Sequence, residues 1–414
     1  MHPSNISRFT MFVATSLAMA GNYYVYDSIG PVADLLAQQR GYSATQIGAL
    51  NAIYSFPNIF IVLIGGLLID RYSARAVALA TTGVCLCGAL LTAVDSSFGV
   101  MALGRLLFGM GAETMIVAIT VALAQWFSGS WFAFAFALNL AFARLGSYAA
   151  DRSPSFAADL YAQGWQPPLW LAAGFALVAM GGACVYFLAD RREAARGTLS
   201  IAPPQDHIDW GALLKFGRSY WLIVALCVAF YSVIFPFRST FAIKFFQDAA
   251  GLSLDDAGRM NSYVFLAAAF ATPAFGALVD KYGHHGDLLV LGSLPLPLSF
   301  LLLASPSHGL WVSTVCLGLS FSLVPAVLWP AVANYVERGQ LGTAYGLMTM
   351  LQNIGLTAAN LAAGWINDHN GASAQNPGGY FSMLLFFGVL SLAAVALAVL
   401  LRLRPAAPFM TYAG

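Results

Sequence analysis

The stretch Gly66-Leu67-Leu68-Ile69-Asp70-Arg71 returns 210 residues later as Gly276-Ala277-Leu278-Val279-Asp280-Lys281. Both copies read Gly-x-x-x-Asp-basic. A glycine lets two helices approach closely in an apolar solvent. The acidic–basic pair marks the point where a helix leaves that solvent. Each copy ends the second long apolar segment of its half of the chain. Two copies at half-chain distance predict an internal repeat, and the repeat organises everything around it.

The solvent follows from composition. Of 414 residues, 9% are charged and 59% hydrophobic, whereas a soluble domain carries about 25% charged residues. So few charges cannot coat a water-facing body of this length, and the mean hydropathy is +0.73. The net charge of +1 provides no basic face for a nucleic acid. Most of the surface is expected to face a lipid bilayer.

A spanning helix needs about 20 mostly apolar residues. Such segments lie at 9–37, 44–70, 74–94, 97–127, 131–159 and 167–190, then at 215–247, 256–280, 286–305, 308–336, 340–367 and 378–403. The first could pass for a cleaved leader, but its apolar run continues through Tyr23, Tyr24 and Tyr26. The expected fold is an all-α membrane protein of twelve transmembrane helices in two pseudo-symmetric six-helix bundles. Residues 1–190 form the first bundle, 191–214 a polar linker with Pro203 and Pro204, and 215–414 the second. Basic residues gather in the linker and in the loops on one side, including Arg8, Arg71, Arg75, Arg191, Arg192, Lys215, Lys281 and Arg338. Arg40, Arg152, Lys244 and Arg259 fall on the other side. The positive-inside rule then makes both termini cytoplasmic.

Several chemistries find no residues. The cysteines Cys85, Cys87, Cys184, Cys227 and Cys316 are odd in number and sit in apolar stretches, which reads as reduced thiols between helices. No metal-ligand cluster, no nucleophile–base pair and no cofactor motif stands out. The nucleotide-binding pattern GxxxxGK[ST] does not occur, which disfavours ATP-driven pumping.

Ionisable groups inside spans cost roughly 2.5–3.5 kcal/mol each on insertion scales, so each calls for a reason. Glu113 lies sixteen residues before Gly129 and Arg144 fifteen after it. With a tight turn at Ser128-Gly129-Ser130, both sit about 22–24 Å above that turn, at one depth on consecutive helices. They read either as a structural ion pair or as a polar centre for a substrate with both an amine and a carboxylate. In the second reading Arg144 grips the carboxylate in parallel hydrogen bonds and Glu113 holds the ammonium. Asp27 and Arg238 stand one residue off the repeat spacing, at matching points of spans 1 and 7. They read as a charge pair that closes an outer gate, or Arg238 snorkels to the interface. Arg105, in the string RLLFG, reads as a helix-packing residue that snorkels, and Asp151 as a solvated outer end. Prolines beside polar or aromatic groups mark Tyr54, Pro57 and Asn58 in span 2, and Tyr231, Phe235 and Pro236 in span 7. Span 10 carries Pro325, Trp329 and Pro330, while span 11 carries Gln352, Asn353 and Gly355. Tyr54, Asn58, Trp329 and Asn353 are the expected cavity-lining residues, although buried asparagines also serve as interhelical glue.

The twelve spans, the repeat and the paired motif (Gly66, Asp70 and Arg71; Gly276, Asp280 and Lys281), with Arg105 in RLLFG, resemble the major facilitator superfamily. A closer set of strings is YSFPN (54–58), GRLLFGMGAE (104–113), ARLGS (143–147), FPF (235–237), LWP (328–330) and LGTAYGLM–LQN (341–353). These are similar to the branch of lysosomal dipeptide transporters. The resemblance implies that Glu113 and Arg144 hold the two ends of a dipeptide, moved by alternating access. It favours facilitated diffusion over proton symport, with an exporter of drugs or organic-anion metabolites as the alternative. Here FPF is followed by Arg238, where the animal members carry an apolar residue. The short leading segment and short outer loops suggest a bacterial inner-membrane form with no obvious dock for an accessory subunit, and the resemblance implies a monomer.

Overall fold

The computed structural model describes residues 4–94, 97–127, 130–196, 216–282, 285–304, 306–336 and 340–403. Linker residues 197–215, together with Arg338, lie outside them, as do the side chains of Gly66, Asp70, Gly276, Asp280 and Lys281. The described chain is helical, and no strand occurs among the described residues. Backbone groups without water must be bonded within their own segment, which a helix achieves. The helices part where proline removes a donor or crowds the preceding turn. Pro31 follows one such break, Pro57 and Pro295 sit in two more, and Pro236 ends a fourth helix.

The chain packs as two units, one of Met1–Gly41 with Leu50–Gln205 and one of Tyr42–Ala49 with Asp206–Gly414. In the first half run α1 (Asn5–Asp27), α2 (Ile29–Arg40), α3 (Ala44–Ser55), α4 (Asn58–Tyr72), α5 (Ala74–Ala93), α6 (Phe98–Trp126), α7 (Ser130–Phe156), α8 (Ala158–Gln163) and α9 (Gln166–Ala195). In the second half run α10 (Arg218–Pro236), a π-helical turn (Phe237–Phe241), α11 (Ala242–Ala250), α12 (Leu254–Tyr282), α13 (His285–Ser293), α14 (Pro295–Leu303), α15 (Pro306–Ala331), α16 (Leu341–His369) and α17 (Phe381–Arg402). Helix α9 continues five residues past the expected start of the linker. Its extra turn is anchored by Glu193, which accepts from Ser7 Oγ (3.0 Å) and Arg196 Nη1 (2.9 Å).

The repeat shows in the helix ends. Helix α4 stops at Tyr72, one residue after Arg71, and α12 stops at Tyr282, one residue after Lys281. A second correspondence lies at the opposite ends of the expected spans 1 and 7. Helix α1 breaks at Ser28, and α10 gives way to the π turn at Phe237. By length and composition, seven described segments are apolar enough to cross a membrane: Ala74–Ala93, Phe98–Trp126, Gln166–Ala195, Arg218–Ala250, Gly286–Leu303, Gly309–Ala331 and Pro377–Arg402. The expected spans 1, 2, 5, 8 and 11 are helical but fall outside that set. The first two are interrupted at Ser28 and Pro57, and the fifth carries Arg144, Asp151 and Arg152. The eighth opens on Asp255 and Asp256, and the eleventh carries Gln352, Asn353 and Asn360. Polar lining and spanning length compete for the same residues.

The two units pack differently. In the first, small residues bring backbones together: a Cβ on Gly88 would stand 2.7 Å from the Gly104 carbonyl, and one on Gly104 2.8 Å from that of Gly88. This is the close approach that drives association where lipid removes the hydrophobic incentive. In the second, the π turn drives Phe237 into an aromatic core, with ring centroids 5.1 Å from Phe300 and 5.9 Å from Phe387. Such edge-on pairs add about 0.5–1.5 kcal/mol beyond burial.

Arg105 holds the first unit at its helix breaks. It is 1% exposed and does not snorkel. Its Nη1 donates to the Val25 carbonyl (3.1 Å) and its Nη2 to the Tyr26 carbonyl (3.2 Å), on the last turn of α1. Nη2 also donates to Asn51 Oδ1 (2.5 Å), and Nε to the Leu50 carbonyl (3.4 Å), on α3. The rings of Tyr54 and Phe108 lie 5.5 and 5.3 Å from its Cζ. Asp27 lies within its electrostatic range. One side chain of α6 thus ties α1 to α3. Arg105→Gln should destabilise the protein by about 2–4 kcal/mol, because several acceptors lose a charged donor together. Arg105→Lys, with a point charge in place of the fork, should fall between the two. Thermal unfolding of the purified protein measures both.

Candidate functional site

The polar centre of the first unit is built around Tyr54. Helix α3 ends a residue after it, at Ser55, because Pro57 offers no N–H. The Tyr54 carbonyl near this break accepts from Asn58 Nδ2 (3.2 Å). Asn58 is fully buried and repairs its own helix junction with that amide, so its donor faces the backbone. A Cβ on Gly109 of α6 would land on the same Tyr54 carbonyl, so α6 passes directly against the break. The Tyr54 ring then runs along α6, 5.4 Å from the Phe108 ring, and its Oη donates to Glu113 Oε1 at 3.3 Å.

Glu113 and Arg144 are both partly buried, on α6 and α7. Tyr23 of α1 lies within electrostatic reach of both, and of Asp27 one turn further on. The hydroxyl of Tyr23 therefore stands in a field set by a carboxylate and a guanidinium from two other helices. Helix α7 is held against α1 by Asn139, whose Nδ2 donates to Ser16 Oγ (3.2 Å). A Cβ on Gly146 would fall on the Ala20 carbonyl, which fixes how near Arg144 comes to α1. A carboxylate acceptor, a guanidinium fork and two phenols can together address a small molecule that carries both charges.

The expected residues of the second unit form an aromatic shelf. Trp329 Nε1 donates to Tyr231 Oη (2.9 Å), and Tyr345 Oη donates to the Trp329 carbonyl (3.0 Å) just ahead of Pro330. The rings of Trp329 and Tyr345 stack with centroids 6.0 Å apart, and those of Tyr231 and Phe235 at 5.7 Å. Asn353 is buried, and its Nδ2 donates to the Thr349 carbonyl (3.0 Å) of its own helix. Its neighbour Gln352 accepts from Cys227 Sγ at 3.4 Å.

Asp27 closes α1 and is 1% exposed. Arg238, in the π turn, is 2% exposed. Its Cζ lies 4.1 Å from the centroid of Phe265, and Asn261 Nδ2 donates to its carbonyl at 3.1 Å. Arg238 is therefore enclosed and does not reach an interface by snorkelling. Asp151 is equally enclosed, at 1% exposure, which corrects the expectation that it is wet. Among the described residues no three His, Cys, Asp or Glu side chains converge as a metal site.

Four residues of this architecture escaped the sequence reading. Tyr23 precedes Asp27 by one helical turn, and that spacing alone could have marked it. Tyr345 follows Trp329 by sixteen positions and carries no local sign. Asn51 and Asp190 satisfy buried donors from other helices. Asp190 accepts from Trp126 Nε1 (2.8 Å) and Arg75 Nη1 (3.1 Å), joining the ends of α5, α6 and α9.

The chain is similar to known transporters. The lysosomal dipeptide transporter MFSD1 of Danio rerio is 32% identical over 365 residues, covering 85% of this chain and 78% of that protein. The human protein of the same name is 30% identical over 372 residues, with the same coverage. A crystal structure of a mutant of the nucleoside transporter NupG superposes with a TM-score of 0.76 at 14% identity, over 95% of this chain and all of the other. At that identity the likeness concerns the fold. Residues 12–258 and 237–410 match the Major Facilitator Superfamily, and the chain belongs to that family of membrane transporters.

Proposed function

We propose that the protein is a secondary transporter of dipeptides or similarly small zwitterions. The observation that carries this reading is the convergence of Glu113, Arg144 and Tyr23 in the first unit, with Tyr54 aligning the carboxylate. A membrane protein retains opposite charges at mid-span when they meet each other or a ligand. Glu113 takes the substrate ammonium and Arg144 its carboxylate, while Tyr54 and Tyr23 orient both. Trp329, backed by Tyr231 and Tyr345, offers an apolar and hydrogen-bonding surface to the substrate side chain. The amides of Asn58 and Asn353 serve their helices, and these residues shape the walls. The similarity to two proteins named as lysosomal dipeptide transporters supports the substrate class.

In this reading twelve helices span the bilayer, the termini and linker are cytoplasmic, and the protein sits in a plasma membrane as a monomer. Transport proceeds by alternating access of a central site. The breaks at Ser28 and at the π turn supply matching flexure points, with Asp27 and Arg238 closing the outer side. Facilitated diffusion is favoured over proton symport.

Two measurements check this reading. A panel of dipeptides, amino acids and drugs in a thermal-shift screen should stabilise the wild type with dipeptides alone. Glu113→Gln and Arg144→Ala should each weaken that binding about tenfold to a hundredfold, the range of one charged hydrogen bond. Stabilisation that survives both substitutions would exclude the site. In liposomes, dipeptide uptake should be indifferent to an imposed pH gradient and move no net proton. Acceleration by an inside-alkaline gradient would establish symport instead.

A further inference from the structure

Helices α1 and α7 run side by side but part where both begin. Further along they touch through Asn139 and Ser16, and through Gly146 against the Ala20 carbonyl. At their starts a groove of about 390 Å³ lies between them. Arg8, Phe9 and Phe12 line one wall, and Trp131, Phe134 and Leu138 the other. On each helix these positions recur three or four residues apart, so each wall is a single helix face. Phe12 also meets Phe142 of α7 edge-on, with ring centroids 6.1 Å apart.

The walls are apolar and open: Phe9 is 69% exposed, Trp131 68% and Phe134 61%. Exposed phenylalanines in a membrane protein say only that lipid is near. Arg8 makes the groove specific. It is the one charged side chain among the described residues of the lining. The next charge on α1 is Asp27, and the first on α7 is Arg144. Arg8 Nε is buried and meets no acceptor among the described residues. Simple snorkelling would carry the whole guanidinium to water, whereas part of this one is turned away from it beside the groove. An anionic oxygen at the groove mouth supplies the missing acceptor, and the planar fork of arginine suits a phosphate in particular. Trp131, at the same end, has the amphipathic ring that settles at headgroup level.

The lining also says what the occupant is. Beyond Arg8, Asn5 and the Trp131 indole it offers no polar side chain. A peptide laid there would leave backbone groups unbonded at a cost, while an acyl chain has none to satisfy. One anion at the mouth and hydrocarbon along the walls is the chemistry of a phospholipid.

We propose that this groove binds one anionic phospholipid, its phosphate on Arg8 and an acyl chain along Phe9, Phe134 and Leu138. In the orientation proposed above, the lipid comes from the cytoplasmic leaflet, where anionic lipids gather. The binding itself does not depend on the transport reading, and it is measured without a transport substrate.

The test uses the purified full-length protein in detergent and dioleoylphosphatidylglycerol with a photoactivatable group in one acyl chain. Label should concentrate on the peptides covering residues 5–12 and 131–138. Arg8→Gln should weaken that labelling about tenfold, the range of one charged hydrogen bond, and Arg8→Lys should keep part of it. Leu138→Trp, which narrows the apolar wall, should reduce labelling with the charge intact. Arg191→Gln, which removes an exposed charge from α9 outside the groove lining, should change nothing. Phosphatidylcholine with the same chains and label should mark the groove several-fold less. Label spread evenly around the apolar belt, equal labelling by phosphatidylcholine, or unchanged labelling in Arg8→Gln each overturns the proposal. So does a groove that stays unlabelled, the result if a segment of this chain or a second copy fills it. Displacement of the lipid by millimolar inorganic phosphate overturns it too, and assigns Arg8 to a free anion.

Discussion

A guanidinium enclosed by apolar helices persists when acceptors meet its donors, and Arg105 meets that condition by binding backbone that has come loose. The last carbonyls of α1 and the Leu50 carbonyl of α3 receive it, with Asn51 closing the fork. The break and the arginine depend on each other. Without the break at Ser28 the α1 carbonyls would be engaged within their helix; without the arginine they would be orphaned in a medium that offers no water. The same bargain recurs at Tyr54, whose carbonyl is met by Asn58. Irregular backbone in this unit is consistently paired with a buried polar side chain, and the candidate site is assembled at those places.

The two units reach stability by different routes. In the first, glycine contacts and polar clasps leave helices touching through their backbones, and the inward side chains are free to carry chemistry. In the second, phenylalanines around Phe237 fill much of the interior, and an aromatic shelf forms around Trp329. The carboxylate and guanidinium of the proposed site come from the first unit alone.

Much of this was legible in the sequence. The motif ending in Arg71 and its copy ending in Lys281 placed two helix ends to within a residue, because a charge pair at an apolar boundary leaves little choice of position. Scarcity of charge isolated Glu113 and Arg144, and depth counting put them on one level. Snorkelling for Arg105, the snorkelling alternative for Arg238 and hydration for Asp151 fail for a common reason. Snorkelling or hydration is the default for a charged residue read along one helix, and nothing in a linear string says that two neighbouring helices break opposite it. At Asn58, read as a cavity wall, a proline one residue earlier also creates a local need for its amide. Partners on other helices, such as Tyr23 and Tyr345, depend on packing register, which one sequence does not encode locally.

Tyr54 touches α6 twice, with its carbonyl against Gly109 and its hydroxyl on Glu113. Those two positions are four residues apart, about 6 Å along the helix, close to the reach of a tyrosine side chain. The ring therefore works as a gauge block, laid along α6 with its zero at the glycine. Position 109 faces the Tyr54 backbone, and its size sets how far the hydroxyl extends toward the carboxylate. At the proposed site, selectivity would then drift through a residue that contributes no atom to recognition, and the absence of a side chain there is itself a dimension of the site.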